Sequence, residues 1–338
     1  AFGFVIKCER KEGYGMIFDG HSDIFSDVRY KREAGETQVL KNHHLDRLRK
    51  GGIGGACFVI WADTYNGFDP KDEMAAIIKG IKEEMAETED FVLIHNVAEL
   101  KAAEAAGKFA ILLGIEGLAG IGEDLSKIDE LYDLGARHAM LTWNEENALA
   151  TGVKGNPDRG VTELGKQAIK KMQEKKMILD VSHINEKSFW DVIDLATGPI
   201  LASHSNAKAL ASAARNLTDD QLKAIRDTNG LVGLNAFGDF ISDNKAEQDV
   251  DHLVNHACYI ADKIGVEHLG FGFDFFEFLD SGSMKSYSDQ EDSRLRGMKD
   301  CSEVPVLLEK MRKAGFTEKD LEMISGGNWT NLIQNVLG

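Results

Sequence analysis

The chain has only four cysteines, Cys8, Cys57, Cys258 and Cys301, and none stands in a CxxC pair. Their spacing matches neither a zinc ribbon nor a disulfide framework. Free thiols fit a reducing compartment, so the expectation is a cytoplasmic protein. Cys57 lies in an apolar run and reads as buried packing. No apolar stretch reaches the roughly 18 residues that a membrane span needs. Positive charge is also short: 39 Lys and Arg stand against 56 Asp and Glu, a formal net charge of −17. Phosphate binding needs a basic face, so nucleic acid is disfavoured as a partner, and so is an anionic membrane surface. No GxGxxG follows the first apolar run, which leaves a dinucleotide site without support. There is no internal repeat and no low-complexity segment.

What is present is a hydrophobic fraction of 43% and a charged fraction of 28%, ordinary for a globular enzyme. The 338 residues would allow two domains by size, but α/β barrels commonly run this long as one. The opening AFGFVIKCERKEGYGM is no signal peptide, because its apolar part is short and charge follows it. Residues 1–15 read as an extension, and 16–338 as one barrel domain.

The dominant pattern is a short apolar run followed by a charged helical stretch. Strands are expected at Ile17–Gly20, Ala56–Trp61, Phe109–Ile115, Ala139–Thr142, Met177–Val181, Ile200–Ser203, Leu231–Asn235 and Leu269–Phe273. Runs apolar on both faces suit a parallel sheet. Helices are expected at Asp72–Glu89, Asp124–Leu134, Thr162–Lys175, Glu186–Ala196, Thr218–Thr228 and Asp249–Ile264. Thr218 and Gln221 have the capping-box spacing. Phe91–His95 reads as an accessory strand or as part of the connection between the second and third strands. Eight alternations imply a closed (β/α)8 barrel, with an open doubly wound sheet as the competing architecture. The polar stretch Asp280–Asp300 is either a solvated loop or a lid over the barrel mouth.

Barrel enzymes gather their chemistry at the C-terminal ends of the strands. Those ends carry Asp19-Gly20-His21-Ser22-Asp23, then Trp61 and Asp63, Glu116-Gly117, Trp143-Asn144, Asp180-Val181-Ser182-His183, Ser203-His204-Ser205, Asn235 and Asp274. Three histidines and several carboxylates thus share one mouth. Imidazole and carboxylate are zinc ligands, and such a set can hold two ions. In HxD the two side chains sit two residues apart, point the same way from extended backbone and can grip one ion together. The other histidines read as structural. His43 and His44 should be exposed before a helix, and His95 ends the accessory strand. His138 and His268 precede strands and should face the barrel bottom. His252 and His256 lie four apart without an HExxH glutamate, which fits a solvated helix face.

The ordered series HxD, IEG, DxSH, SHS, RN and GxDF resembles the membrane (renal) dipeptidases, the M19 zinc metallopeptidases of the amidohydrolase-like barrels. GGNW at Gly326–Trp329 resembles the family's closing segment. The resemblance implies two Zn2+ per chain. His21 and Asp23 would bind one ion, Glu116 would bridge, and His183 and His204 would bind the other. Asp274 would act beside a metal-bridging hydroxide, and Arg215 would hold the C-terminal carboxylate of a dipeptide. It also implies a possible homodimer. Two departures bear on the substrate. Where the family often has LTH, this chain reads LTW, with Trp143. Where an aromatic hydroxyl often follows Asn235, the run is Asn235-Ala236-Phe237. Trp143 and Asn235 are therefore candidate substrate contacts. Hydrolysis of another small amide or lactone at the same metal site is the alternative activity. A barrel kept only for binding is disfavoured, because every expected metal position is present.

Overall fold

A computed structural model describes residues 15–279 and 293–338. Among the described residues nine parallel strands form one sheet: β1 (Ile17–Ser22), β2 (Ile53–Trp61), β3 (Phe91–Ile94), β4 (Phe109–Glu116), β5 (His138–Met140), β6 (Ile178–Asp180), β7 (Ile200–Ala202), β8 (Leu231–Leu234) and β9 (Leu269–Phe271). Eight of them close on themselves. β1 pairs with β2 and β9, β4 through β9 pair in sequence, and β2 pairs with β4 from Gly55↔Ala110 to Trp61↔Glu116. β3 is the accessory strand. It shares one edge of β4 with β5, pairing Phe109–Leu112 while β5 pairs Gly114 and Ile115. The result is a (β/α)8 barrel with helices around it.

The alternation of β4 shows how the sequence sorts its faces. Ile111, Leu113 and Ile115 pack outward against the helical layer, while Ala110 and Leu112 pack inside. Period 2 then carries Glu116 inward at the C-terminal rim. The opposite end is closed by Trp329 of the terminal helix Asn328–Leu337. Its indole donates to the Phe271 carbonyl at 3.0 Å and lies 5.2 Å from the Phe18 ring. A Cβ on Gly20 would strike this indole, which is why glycine stands there. The GGNW segment is thus the barrel's plug.

The expected helices form within a few residues of their expected bounds, for example Pro70–Glu87, Glu163–Glu174 and Val250–Ile264. The Thr218–Gln221 capping box is present. No helix among the described residues is long and apolar enough to cross a membrane. Cys57 is buried, as expected. Of the stretch Asp280–Asp300, residues 280–292 lie outside the described residues, and so does Cys8.

Three histidines differ from expectation. His44 is buried, with Nε2 at 2.8 Å from Asp27 Oδ2. His138 opens β5 rather than preceding it, and lies inside the barrel beside Cys57. His256 is buried, not solvated: Nδ1 accepts from the Ala207 amide at 3.1 Å, and Nε2 donates to the Ile241 carbonyl at 2.9 Å. The helical period gave no warning, because the partners come from the loops after β7 and β8. His268 is as expected, donating to the Gly230 carbonyl below β8.

Both ring nitrogens of His256 serve best in the neutral form, and burial lowers its pKa to about 4. The folded pKa is depressed, so the stability this imposes is complete above the unfolded value of about 6.5 and is lost as pH falls toward 4. His256→Gln should therefore be most destabilising near pH 7. Urea unfolding should show the gap to wild type shrinking by about 2 kcal/mol at pH 5. A pH-independent gap would show that the neutral ring is not what the site requires.

Candidate metal centre and active site

The expected ligand and acid–base residues come from the C-terminal ends of five strands, β1, β4, β6, β7 and β9. The alternation of β1 puts Phe18 and Gly20 inward and would take Ser22 next, not His21. The register slips between Asp19 and Ser22, and the slip brings His21 into the barrel. Its Nε2 lies 3.2 Å from Glu116 Oε2 and 3.8 Å from Asp23 Oδ2. HxD does not act through extended backbone here. Asp23 is the N-cap residue of the helix Ile24–Glu33, at φ −84° and ψ 20°, so the turn into the helix brings the two side chains together. Gly117 follows Glu116 at φ +86°, where an added Cβ would meet the Trp143 nitrogen at 2.6 Å.

Glu116 faces two ways. Oε2 is turned to His21, while Oε1 lies 2.8 Å from His183 Nε2 and 3.8 Å from His204 Nε2. His183 and His204 bring their Nε2 atoms within 2.8 Å of each other. Asp274 Oδ1 stands 3.9 Å from His21 Nε2. Two donor groups gather within 4.8 Å, namely His21, Glu116 and His204, and His21, Asp23 and Asp274. All six expected ligand and acid–base residues therefore meet in one buried cluster.

The electrostatics fit a divalent cation. Burial, then Asp274, pushes Glu116 well above its ordinary pKa. Burial raises Asp274 to about 6 and Asp19 to about 7. So many carboxylates out of water are costly without a cation among them. Burial drives His183 and His204 well below their ordinary values, which keeps their lone pairs available to a metal. Neutral imidazoles with carboxylates form a donor set that zinc accepts.

Asp274 lies three residues beyond β9, at φ +59°, a region non-glycine residues seldom adopt. Asn235 holds it: Nδ2 donates to Asp274 Oδ2 at 3.2 Å and to the His204 carbonyl at 3.3 Å, while its Oδ1 accepts from the Phe237 amide. Asp19 accepts from the Phe273 amide at 2.8 Å and ties β1 to the segment that presents Asp274. Arg215 is buried too, donating to Ser205 Oγ at 3.3 Å and the His204 carbonyl at 3.2 Å. Among the described residues no carboxylate lies within ion-pair distance of it, and its Nε has no hydrogen-bond partner.

Trp143 is buried in the wall of the site. Its ring lies 5.1 Å from Trp61, 5.4 Å from Tyr65 and 6.1 Å from His183. The Lys154 ammonium sits over the half-exposed Tyr65 at 5.0 Å. Sequence reasoning missed Tyr65 and Lys154, since neither stands at a strand end. It also assigned nothing to Asp19, Asn144, Ser182 or Ser203, though all four stood in the strand-end motifs.

The membrane dipeptidase family, peptidase family M19, matches residues 14–337. The chain belongs to this family. By that membership it is a metallo-dipeptidase of the hydrolase class. A protein from the pqqA 5′ region of Klebsiella pneumoniae is 32% identical, over 72% of this chain and 88% of its own. A metallopeptidase from Rhodobacter sphaeroides, solved with a phosphinate mimic of the dipeptide L-Ala-D-Ala, superposes with a TM-score of 0.83. It is 25% identical, over 96% of this chain and 99% of that one. A family M19 structure, dipeptidase AC, gives a TM-score of 0.84 at 27% identity, with the same coverage of both chains.

Proposed function

We propose that this metallo-dipeptidase holds two zinc ions and cleaves dipeptides that carry a free C-terminal carboxylate. The observation that carries the reading is the two-way placement of Glu116, one oxygen toward His21 and the other toward His183 and His204. His21 and Asp23 would hold one ion, His183 and His204 the other, and Glu116 both. Zinc, when bound, lowers the pKa of a water and polarises the scissile carbonyl.

The chain's own groups do the rest. Asp274 Oδ1, aimed at the cluster, accepts a proton and returns it to the leaving amine. Asn235 holds the other oxygen of that carboxylate, so we assign it to orienting Asp274. The Arg215 guanidinium takes the substrate carboxylate and sets its distance from the cluster. A dipeptide frame for this site is also suggested by the dipeptide mimic held by the Rhodobacter enzyme. The free thiols Cys57, Cys258 and Cys301 fit the cytoplasmic setting that is part of this proposal.

Zinc-loaded protein should contain about two zinc atoms per chain by elemental analysis and should hydrolyse unblocked dipeptides. A single bound ion, with no second occupancy after zinc addition, would remove the dinuclear reading.

Trp143 gives the substrate side its own test. An indole offers one neutral donor and a broad apolar face, where imidazole offers a stronger donor that can carry charge. The wall should thus favour apolar or aromatic side chains. Trp143→Ala should lower kcat/KM on such dipeptides about 10-fold or more relative to small polar ones. Trp143→His should shift preference toward the small polar ones. Because a buried indole also packs the wall, thermal unfolding must be read in parallel. A flat response across the dipeptide panel, with stability kept, would remove Trp143 from recognition.

A further inference from the structure

The three ligating histidines differ in what stands behind them. His183 Nδ1 lies 2.9 Å from Asn144 Oδ1, and His204 Nδ1 lies 2.7 Å from Ser203 Oγ. His21 Nδ1 is buried with no hydrogen-bond partner among the described residues. A serine behind a ligating histidine is ambiguous by itself. A hydroxyl can donate to a bare nitrogen or accept from an N–H, and these choices put the ring proton on opposite sides.

The surroundings of Ser203 remove the ambiguity. Asp180 Oδ1 accepts from the Ser182 amide at 2.9 Å, the Ser182 hydroxyl at 2.7 Å and the Ser203 amide at 3.2 Å. Its other oxygen lies 2.7 Å from His138 Nε2. A carboxylate only accepts, so the single Ser182 proton is directed to Asp180. The two lone pairs of Ser182 Oγ then face two donors, the His204 amide at 3.3 Å and the Ser203 hydroxyl at 3.3 Å. With its proton turned to Ser182, Ser203 can only accept from His204. All of these groups are buried, so water offers no substitute partner.

We infer that Asp180, Ser182 and Ser203 form a one-way hydroxyl chain that fixes the His204 proton on Nδ1 and leaves the Nε2 lone pair turned to the metal cluster. The chain runs His204 Nδ1–H to Ser203, Ser203 O–H to Ser182, and Ser182 O–H to Asp180. His138 anchors the far end from inside the barrel. Ser182 and Ser203 are positioning residues, since they act through His204. The groups behind His204 set this direction against the competing contact of its Nε2 with His183 Nε2 at 2.8 Å, and only the consequence for zinc rests on the dinuclear reading. Partners of this kind typically change metal affinity about 10–100-fold.

The decisive variant is Ser182→Ala. It leaves Ser203 in contact with His204 but takes away the acceptor of the Ser203 proton. That hydroxyl is then free to turn and donate to Nδ1, which moves the ring proton to Nε2, where it blocks the metal. Nitrogen-15 NMR of histidine-labelled, chelator-treated full-length protein at pH 8 reads the tautomer directly. Wild type should show His204 with Nδ1 protonated, whereas Ser182→Ala and Ser203→Ala should lose that single state. In chelator competition on the zinc-loaded protein, either variant should weaken one zinc by about 10–100-fold. A cavity alone would not move the tautomer. Wild type with the proton on Nε2 would overturn the inference without any variant, and so would a folded Ser182→Ala protein with wild-type tautomer and zinc affinity. If wild type showed the Nδ1 tautomer yet bound a single zinc, the hydroxyl chain would stand and the dinuclear reading would fall.

Discussion

Asp274→Asn should retain its bound metal and lose about 10²–10⁴-fold in kcat, the usual contribution of a general acid–base group. The exchange is nearly isosteric, and asparagine tolerates the left-handed backbone at φ +59° about as well as aspartate does. The fold should therefore survive. What the amide lacks is a lone pair basic enough to take the proton. In the metal-free protein burial raises Asp274 to about 6, so this carboxylate holds a proton more readily than an ordinary aspartate. The wild-type pH–rate profile should carry a limb for ionisation of this carboxylate, placed below its metal-free value by the bound cations, and the variant should lack that limb. The carboxylate also stands close to Asp23, which raises its pKa further. Removing its charge from metal-depleted protein should leave the melting temperature equal or higher. Wild-type turnover by the variant would show that the proton travels by another route.

Much of this site was legible in the sequence because barrel topology turns strand ends into a ring. Once the eight apolar runs are recognised, His21, Glu116, His183, His204 and Asp274 must converge, whatever their separation along the chain. The ring could not be read where local backbone departs from the ideal. The slip between Asp19 and Ser22 decides which side of β1 enters the barrel, and Asp23 reaches the cluster from a helix cap rather than a strand. Partners contributed by distant loops were equally hidden. His256 looks like a solvated helical residue until the loops after β7 and β8 fold over it, and His44 until Asp27 meets it. The hydroxyl chain behind His204 could not be found either. Serines in DxSH and SHS announce polarity, but the direction of their hydrogen bonds depends on three-dimensional neighbours.

Arg215→Ala should cost about 2–5 kcal/mol of transition-state stabilisation on free dipeptides, read as kcat/KM. At about 1.4 kcal/mol per decade this is roughly 30-fold to several thousand-fold. Dipeptide amides, which wild type should cleave poorly, should be hardly affected, so the variant should lose the preference along with the rate. Burial lowers its pKa to about 10, while Asp274, Glu116 and Asp180 act from a distance to keep it charged. Its two terminal nitrogens donate only to a hydroxyl and a carbonyl, both neutral acceptors. A buried cation left this way is stabilised most by an arriving anion, and a planar fork matches a carboxylate. Arg215→Lys should therefore recover only part of the activity, because it restores the charge without the fork. Neither variant should lower the metal content, since Arg215 touches no expected ligand side chain. Equal wild-type rates on acids and amides would assign the guanidinium to the fold and open the site to substrates without a carboxylate.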